Sequence, residues 1–116
     1  MKRISILVPE TAVIEAVADP RYLFSAVNQF LASAGKEPMF VVELVSTKKE
    51  IRLNGSVFSV HADKLLTEVA HTDLVIIPAL SGNMAESVEA NKAMIPWIID
   101  QYNKGAEVAS LCLGAF

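Results

Sequence analysis

Residues 105–116 read GAEVASLCLGAF, and this stretch predicts more about the chain than any other. An apolar run leads into Ser110, Cys112 and Gly114, which have the small–x–nucleophile–x–Gly spacing of a nucleophile elbow. At such an elbow a strand turns sharply into a helix, and the nucleophile stands exposed at the apex in strained backbone geometry. The unpaired N–H groups at the start of the next helix favour a thiolate over a thiol. The spacing therefore predicts a site at Cys112, and the alternative is a small, buried, hydrophobic cysteine.

Length and composition fit a single domain in a reducing compartment. The 116 residues are enough to bury a core, and a hydrophobic content of 53% with a mean hydropathy of +0.41 is typical of buried parallel strands. The net charge of −3 argues against nucleic-acid binding by this segment, because phosphate contacts need a basic surface. The single cysteine excludes an intramolecular disulfide, and the first apolar run, which ends at Pro9, is too short for a signal peptide or a membrane span. We therefore expect a cytoplasmic protein that makes no membrane contact.

Four short apolar runs predict the strands of a parallel sheet. They cover residues 4–8, 39–45, 74–77 and 107–111. Between the second and third runs, Asn54-Gly55 separates two short alternating segments, which predicts a β-hairpin over residues 51–60.

Helical segments alternate with these strands. Asp19-Pro20 predicts the start of the first helix, because aspartate is a good N-cap and proline fits the first helical position; Gly35 is its expected end. Two further helical segments are expected: residues 63–70, with an aspartate as N-cap, and residues 83–104, which Pro96 should divide or kink near residues 91–95. Strands that alternate with helices in this way predict an α/β fold with a parallel sheet.

Candidate site residues fall at one edge of this sheet. In open parallel sheets, sites form at the carboxyl ends of the strands. Three loops are expected to meet there: the loop after the first strand, with Glu10 and Glu15, the loop after Ile77, and the elbow at Cys112. This convergence strengthens the prediction of a site at Cys112.

Three segments give the chain a resemblance to a known superfamily: residues 4–9 (ISILVP), residues 73–79 (DLVIIPA) and the elbow segment, residues 105–116. Through them, the chain resembles the ThiJ/PfpI superfamily, which has the class I glutamine amidotransferase-like fold. Within it, the elbow and residues 13–24 (VIEAVADPRYLF) are most similar to the amidase-like N-terminal domain of GlxA-type AraC-family transcriptional regulators. The resemblance implies a flavodoxin-like, three-layer αβα sandwich with a mostly parallel sheet. It also implies that residues 1–116 form the first two thirds of the domain, with the remainder and any DNA-binding domain outside this chain.

The resemblance implies roles for individual residues at the carboxyl edge. Cys112 falls on the superfamily's nucleophile, and Glu15 falls near an acid that hydrogen-bonds that cysteine in many members; an exposed carboxylate is the alternative for Glu15. The backbone N–H groups of Leu80 and Leu113, with Ala79 beside them, would bind a ligand or an oxyanion. Enzymatic members usually have Gly-Gly where this chain has Ala79-Leu80, so the resemblance implies catalysis less strongly than binding.

Two functions follow as alternatives. The first is a ligand-sensing and dimerisation domain of an AraC-family transcriptional regulator. It would form a homodimer, bind a small-molecule effector and reach DNA only through a helix-turn-helix region outside this chain. The second is a standalone cysteine-dependent hydrolase, hydratase or glyoxalase-like enzyme that uses Cys112 and Glu15. We expect neither a cofactor nor a metal ion, because the two histidines, His61 and His71, show no ligand spacing.

Overall fold

The apolar runs form one sheet of parallel strands. The computed structural model describes residues 1–53 and 57–111. Along the chain, the elements are β1 (Lys2–Leu7), α1 (Ile14–Ser33), β2 (Phe40–Ser46), β3 (Glu50–Arg52), β4 (Ser59–His61), β5 (Lys64–Leu65), β6 (Leu74–Ile77), α2 (Met84–Ala90), α3 (Ile95–Asn103) and β7 (Glu107–Ser110). The sheet has the strand order β5-β2-β1-β6-β7, and each neighbouring pair in it is parallel. The predicted α/β fold with a parallel sheet is therefore confirmed.

Helices cover both faces of this sheet. On one face α1 packs on β1 and β2, and its Val17 joins a buried cluster with Ile6 of β1. On the other face, Val75 of β6 joins a second cluster with Met94, which lies in the 3-10 turn before α3, and with Trp97 of α3. Side chains along a strand alternate between the two faces, so a single strand contributes to both clusters. The predicted three-layer αβα arrangement is confirmed.

The first helix begins earlier than the sequence predicts. α1 begins at Ile14, so Asp19 is not its N-cap and Pro20 lies inside the helix. Proline lacks the N–H that would bond the carbonyl four residues earlier, which costs an interior helical position about 3 kcal/mol. The helix continues because Val17 and Pro20 are both buried, and burial of apolar side chains outweighs local propensity. The predicted end is correct, since Gly35 follows the helix with a φ of 72°.

The predicted hairpin is confirmed. β3 pairs with β4 in antiparallel register, and Ile51 lies opposite Val60. Both of these side chains are buried and join the cluster on the α1 face of the sheet. The turn with Asn54-Gly55 lies outside the described residues.

The helix predicted at residues 63–70 is wrong. That segment forms β5 and then a single 3-10 turn, Leu66–Glu68. The Asp63 carboxylate, expected to cap a helix, instead accepts a hydrogen bond from the backbone N–H of Leu44 at 2.8 Å. This bond attaches the segment to β2, so the carboxylate that could cap a helix makes a tertiary contact instead.

The helical stretch at 83–104 divides into two helices near residues 91–95, which confirms the prediction from Pro96. Asn83 caps α2, because its side-chain oxygen accepts the backbone N–H of Glu86 at 3.1 Å. The chain then passes through the 3-10 turn Lys92–Met94 into α3, which has Pro96 in its first turn. Among the described residues, no helix combines the length and the hydropathy that crossing a bilayer requires.

Candidate functional site

Two loops at the carboxyl edge of the sheet are held together by backbone hydrogen bonds. The loop after β1 and the loop after β6 form an antiparallel bridge between Ala12 and Leu80. The Val13 N–H donates to the Ala79 carbonyl at 2.9 Å, and the Ser81 N–H donates to the carbonyl of the residue before Ala12, Thr11, at 2.7 Å. The sequence predicted that these loops converge, and the structure brings them into direct contact.

The bridge determines which way the Leu80 backbone points. Its two hydrogen bonds are made by the neighbours of Ala12 and Leu80, which is the widely spaced type of antiparallel pair. In such a pair, the N–H groups of the two facing residues point away from the partner strand. Within the described part of the chain, the N–H groups of Ala79 and Leu80 donate to no acceptor. The Leu80 N–H is therefore a backbone donor that points away from the loop after β1.

Side-chain hydroxyl groups hold the backbone of the loop after β6 in place. Ala79 is buried, and Leu80 is half-buried. The Ser81 hydroxyl donates to the Thr11 carbonyl at 3.1 Å, the same carbonyl that accepts the Ser81 N–H. The Ser87 hydroxyl of α2 donates to the Ser81 carbonyl at 2.9 Å. The backbone of this loop is therefore held at several points by the protein's own hydrogen bonds.

Glu15 lies in the first turn of α1, at the same edge of the sheet. Its side chain is exposed. Along the sequence, Glu15 is three residues after Ala12, which pairs with Leu80. The start of a helix favours negative charge, so an exposed carboxylate is stable at this position without a partner. A hydrogen bond from Glu15 to the cysteine stays a prediction.

Cys112 and Leu113 lie outside the described residues. The parallel ladder between β6 and β7 continues up to them, since Ser110 lies opposite Ile77 and the Leu111 N–H donates to the Ile77 carbonyl at 3.0 Å. Cys112 is the next residue along the chain. The roles of Cys112 as nucleophile and of Leu113 as a backbone donor stay predictions.

Asn91 joins the two loops to the helical layer, and the sequence gives no sign of this. Its side-chain Nδ2 donates to the Thr11 hydroxyl at 2.8 Å and to the Ser87 carbonyl at 2.7 Å. Thr11 is 8% exposed and Ser87 is 2% exposed, so the acceptor of each bond belongs to a buried residue. Eighty residues separate Thr11 from Asn91 along the chain, and no local pattern predicts a contact of that range.

A small polar cavity lies beside Asn91. Its volume is about 90 Å³, enough for a few water molecules. It is lined by Glu10, Thr47, Asn91, Ala93 and Met94. Because both Nδ2 hydrogens of Asn91 are used elsewhere, its carbonyl oxygen is left as an acceptor. Glu10, which the sequence placed at this edge, forms an exposed ion pair with Lys48 at 2.5 Å.

Two carboxyl groups outside the candidate site have lowered pKa values. A hydrogen bond from the Arg3 backbone N–H lowers the pKa of Asp73, at the opposite end of the sheet. A hydrogen bond from Lys49 lowers the pKa of Glu68, and the backbone N–H of Leu65 adds to the shift. Among residues 1–53 and 57–111, no group of His, Cys, Asp or Glu side chains could hold a metal ion. Both histidines are exposed.

Solved structures share this arrangement. A candidate transcriptional regulator protein from Vibrio parahaemolyticus superposes with a TM-score of 0.76 at 19% sequence identity, covering 97% of this chain and 57% of that one. A DJ-1 superfamily protein from Agrobacterium tumefaciens superposes with a TM-score of 0.64 at 16% identity, covering 99% and 55%. The chain has the DJ-1/ThiJ/PfpI fold. Oxidized DJ-1 from Toxoplasma gondii has the same fold, with a TM-score of 0.63 at 19% identity over 98% of this chain and 57% of that one.

The DJ-1/ThiJ/PfpI chains that match are longer than this sequence. The chain spans a little over half of each of the three solved structures. No family model matches the sequence, and no curated protein does so either. The predicted resemblance to this superfamily is confirmed at the level of the fold.

Proposed function

We propose that this chain is the ligand-sensing and dimerisation domain of an AraC-family transcriptional regulator. Residues 1–116 form the N-terminal two thirds of a DJ-1/ThiJ/PfpI domain, and a helix-turn-helix region outside them binds DNA in the cytoplasm. The observation that carries the proposal is the bridge between Ala12 and Leu80, which builds a hydrogen-bonded wall at the carboxyl edge, next to the strand that leads to Cys112. The likeness to the candidate transcriptional regulator from Vibrio parahaemolyticus supports it.

Two features of this wall favour binding over turnover. Leu80 places a branched, half-buried side chain where enzymatic members of the superfamily usually have glycine, which reduces the space for a reacting group. The cavity beside Asn91 offers oxygen acceptors from Glu10, Thr47 and Asn91 itself. A small effector with N–H or O–H donors fits these acceptors, with Cys112 as a wall of the pocket or as a redox-sensitive thiol.

The enzyme is the second candidate, and one observation favours it. The Leu80 N–H points away from the loop after β1 and has no acceptor among the described residues, so it is placed to stabilise an oxyanion. In that case Cys112 attacks a carbonyl or related carbon, Glu15 transfers the proton, and the Leu113 N–H is a further hydrogen-bond donor to the oxyanion.

Substitution of the single cysteine separates the two functions. The native chain, Cys112→Ala and Cys112→Ser are assayed for turnover of small amides, isonitriles and methylglyoxal, and for thermal stabilisation by a metabolite panel. We expect no turnover by any of the three proteins and stabilisation by the same metabolite in all three. Turnover by the native chain that both variants lose would establish the enzyme and contradict the regulator.

The intact mass of the native gene product tests the DNA-binding part of the proposal. A product about three times as long as this chain, with helix-turn-helix patterning in a basic C-terminal region, is expected of the regulator. A product that ends about sixty to eighty residues after Phe116 forms a single domain and contradicts the regulator.

A further inference from the structure

The polar cavity beside Asn91 lies where the loops after β1 and β2 begin. The Ser46 hydroxyl, at the end of β2, donates to the carbonyl of Val8, directly after β1, at 2.6 Å. This bond holds the ends of the two strands side by side. Glu10 follows Val8 by two residues and Thr47 follows Ser46, and both line the cavity. The turn before α3 supplies the remaining wall, so three segments far apart in the sequence meet around one small polar space.

The side chains that line this cavity present oxygen acceptors. Glu10 contributes a carboxylate, and Asn91 contributes the carbonyl oxygen of its amide, because both Nδ2 hydrogens are bonded elsewhere. The Thr47 hydroxyl also accepts, and the side chains of Ala93 and Met94 offer no donor. The cavity therefore fits a group that donates several hydrogen bonds, and the carboxylate favours a group with positive charge.

The chain itself places an ammonium group on the Glu10 carboxylate. The Nζ of Lys48 lies 2.5 Å from Oε1 of Glu10, although Lys48 does not line the cavity. The side chains of this pair are 61% and 52% exposed, and an exposed ion pair contributes little free energy. An ammonium group that enters the cavity can therefore replace Lys48 at low cost.

Two further lysines close to the cavity in sequence are held by other carboxylates. Lys49 pairs with Glu68 at 2.7 Å, and Lys92 pairs with Glu89 at 2.6 Å. Neither lysine lines the cavity, and among the described residues that do, Glu10 alone carries a charge. A ligand that displaces Lys48 therefore meets one negative charge with no other lysine bound to it.

The size of the cavity limits the group that it can hold. Its volume of about 90 Å³ corresponds to about three water molecules at about 30 Å³ each. An ammonium group with one or two carbon atoms fills this space. A quaternary ammonium group is a poor fit, because it has no N–H to donate to the oxygens of Thr47 and Asn91.

We propose that this cavity, the amine cavity, binds the primary ammonium group of the effector. Glu10 is the counter-ion, and the oxygens of Thr47 and Asn91 accept hydrogen bonds from the ammonium. The effector displaces Lys48 from Glu10, and the rest of the effector lies outside the cavity at the carboxyl edge of the sheet. The inference rests on the proposed sensor function, because it gives the chemical class of the effector as a small primary amine.

A chemical-shift titration of the nitrogen-15-labelled native chain with ethylammonium chloride tests the amine cavity. Alkyl ammonium groups stay protonated at pH 7, and sodium chloride keeps the ionic strength constant. We expect saturable shifts of the Asn91 side-chain amide and the Ala93 backbone amide, with a Kd in the millimolar range because the probe is very small. Ethanol, which has no charge, and tetramethylammonium, which has no N–H, should bind at least about tenfold more weakly.

Substitution of the two members of the ion pair should change the affinity in opposite directions. Glu10→Gln removes the counter-ion and should weaken ethylammonium binding at least about tenfold. Lys48→Met removes the competing ammonium but keeps a side chain of similar length, and it should strengthen binding about threefold. Glu37→Gln, at an exposed position in the loop before β2, is the matched control for net charge and should leave the Kd unchanged.

Several results would overturn the amine cavity. One is an equal Kd for ethylammonium and ethanol, and another is a Glu10→Gln variant that binds as tightly as the native chain. Equal weakening by Glu37→Gln and Glu10→Gln would also overturn it, because general charge attraction would then explain the binding. The metabolite panel tests the sensor function separately. Stabilisation by a metabolite without an amine, with no ethylammonium binding, overturns the amine cavity alone; ethylammonium binding with no stabilising metabolite supports the cavity and contradicts the sensor.

Discussion

Replacement of Asn91 by alanine should destabilise the protein through the site loop. Asn91→Ala removes the side-chain donor to the Thr11 hydroxyl and the side-chain donor to the Ser87 carbonyl. The Ser87 carbonyl still accepts the backbone N–H of residue 91 at 3.1 Å. The larger cost is at Thr11, whose buried hydroxyl loses a partner at a cost of about 1–3 kcal/mol. We expect the free energy of unfolding to fall by about 2 kcal/mol, which corresponds to about 8 °C in Tm for a domain of this size.

A double-mutant cycle isolates this contact. Thr11→Val replaces the hydroxyl with a methyl group of similar shape, so Asn91→Ala should cost less in that background. We expect a coupling free energy of about 1 kcal/mol between the two positions. Urea unfolding, followed by the fluorescence of Trp97, measures all four proteins. Lys92→Ala is the control, because its ion pair with Glu89 is exposed and should contribute less than about 0.5 kcal/mol.

Two results would refute this reasoning. One is a stability of Asn91→Ala equal to that of Lys92→Ala, which would mean that the Thr11 hydroxyl finds another partner at no cost. The other is strict additivity of Asn91→Ala and Thr11→Val, which would mean that the 2.8 Å contact contributes nothing of its own.

Three further predictions concern other parts of the fold. Gln101→Leu should lower the free energy of unfolding by about 2–3 kcal/mol in urea unfolding, because the buried Thr72 N–H loses its acceptor at 2.9 Å; an unchanged midpoint would contradict this. Asn28→Ala should cost about 2 kcal/mol by the same measurement, since this side chain makes three hydrogen bonds of 2.8–3.1 Å to the backbone at the start of β2, and a loss below about 0.5 kcal/mol would show that they contribute little. The Asp73 carboxylate, whose pKa is lowered by the Arg3 N–H, stabilises the fold above the ordinary carboxyl pKa, and this contribution is lost as the pH falls through the lowered value. Asp73→Asn should therefore be less stable than the native chain at pH 7 and approach it below about pH 4; a constant difference would exclude the carboxylate as its cause.

The sequence predicts the sheet well because buried parallel strands read as apolar runs. β1, β6 and β7 all overlap the predicted segments, and the run of β6 is apolar at every position because the sheet is covered on both faces. The same topology places the loops after β1 and β6 at one edge, so the position of these two loops of the candidate site follows from strand order alone. The bond between Thr11 and Asn91 does not follow, because it depends on how α2 and its following turn pack on the sheet.

Local signals fail where a tertiary contact uses the same residue. Asp63 has the chemistry of an N-cap, but its carboxylate bonds the Leu44 N–H of β2, so no helix forms after it. Asp19-Pro20 has the chemistry of a helix start, but the burial of Val17 extends the helix upstream of it. In both cases the free energy of a long-range contact exceeds the roughly 1 kcal/mol that a cap contributes.

The first helix contains a further signal in its sequence pattern. Val17, Phe24 and Leu31 are seven residues apart, and Val17 and Phe24 pack into the cluster on the sheet. A helix with one apolar face would therefore have polar residues at positions 22 and 30, on its outer side. Those positions are Tyr22 and Phe30, so the helix is apolar on two faces. Burying one face on the sheet leaves the other in water at a cost of about 25 cal/mol per Å², which only a second apolar surface removes. The sequence of α1 therefore contains more apolar residues than its packing on the sheet requires, and Tyr22, Leu23 and Phe30 stay exposed in this chain.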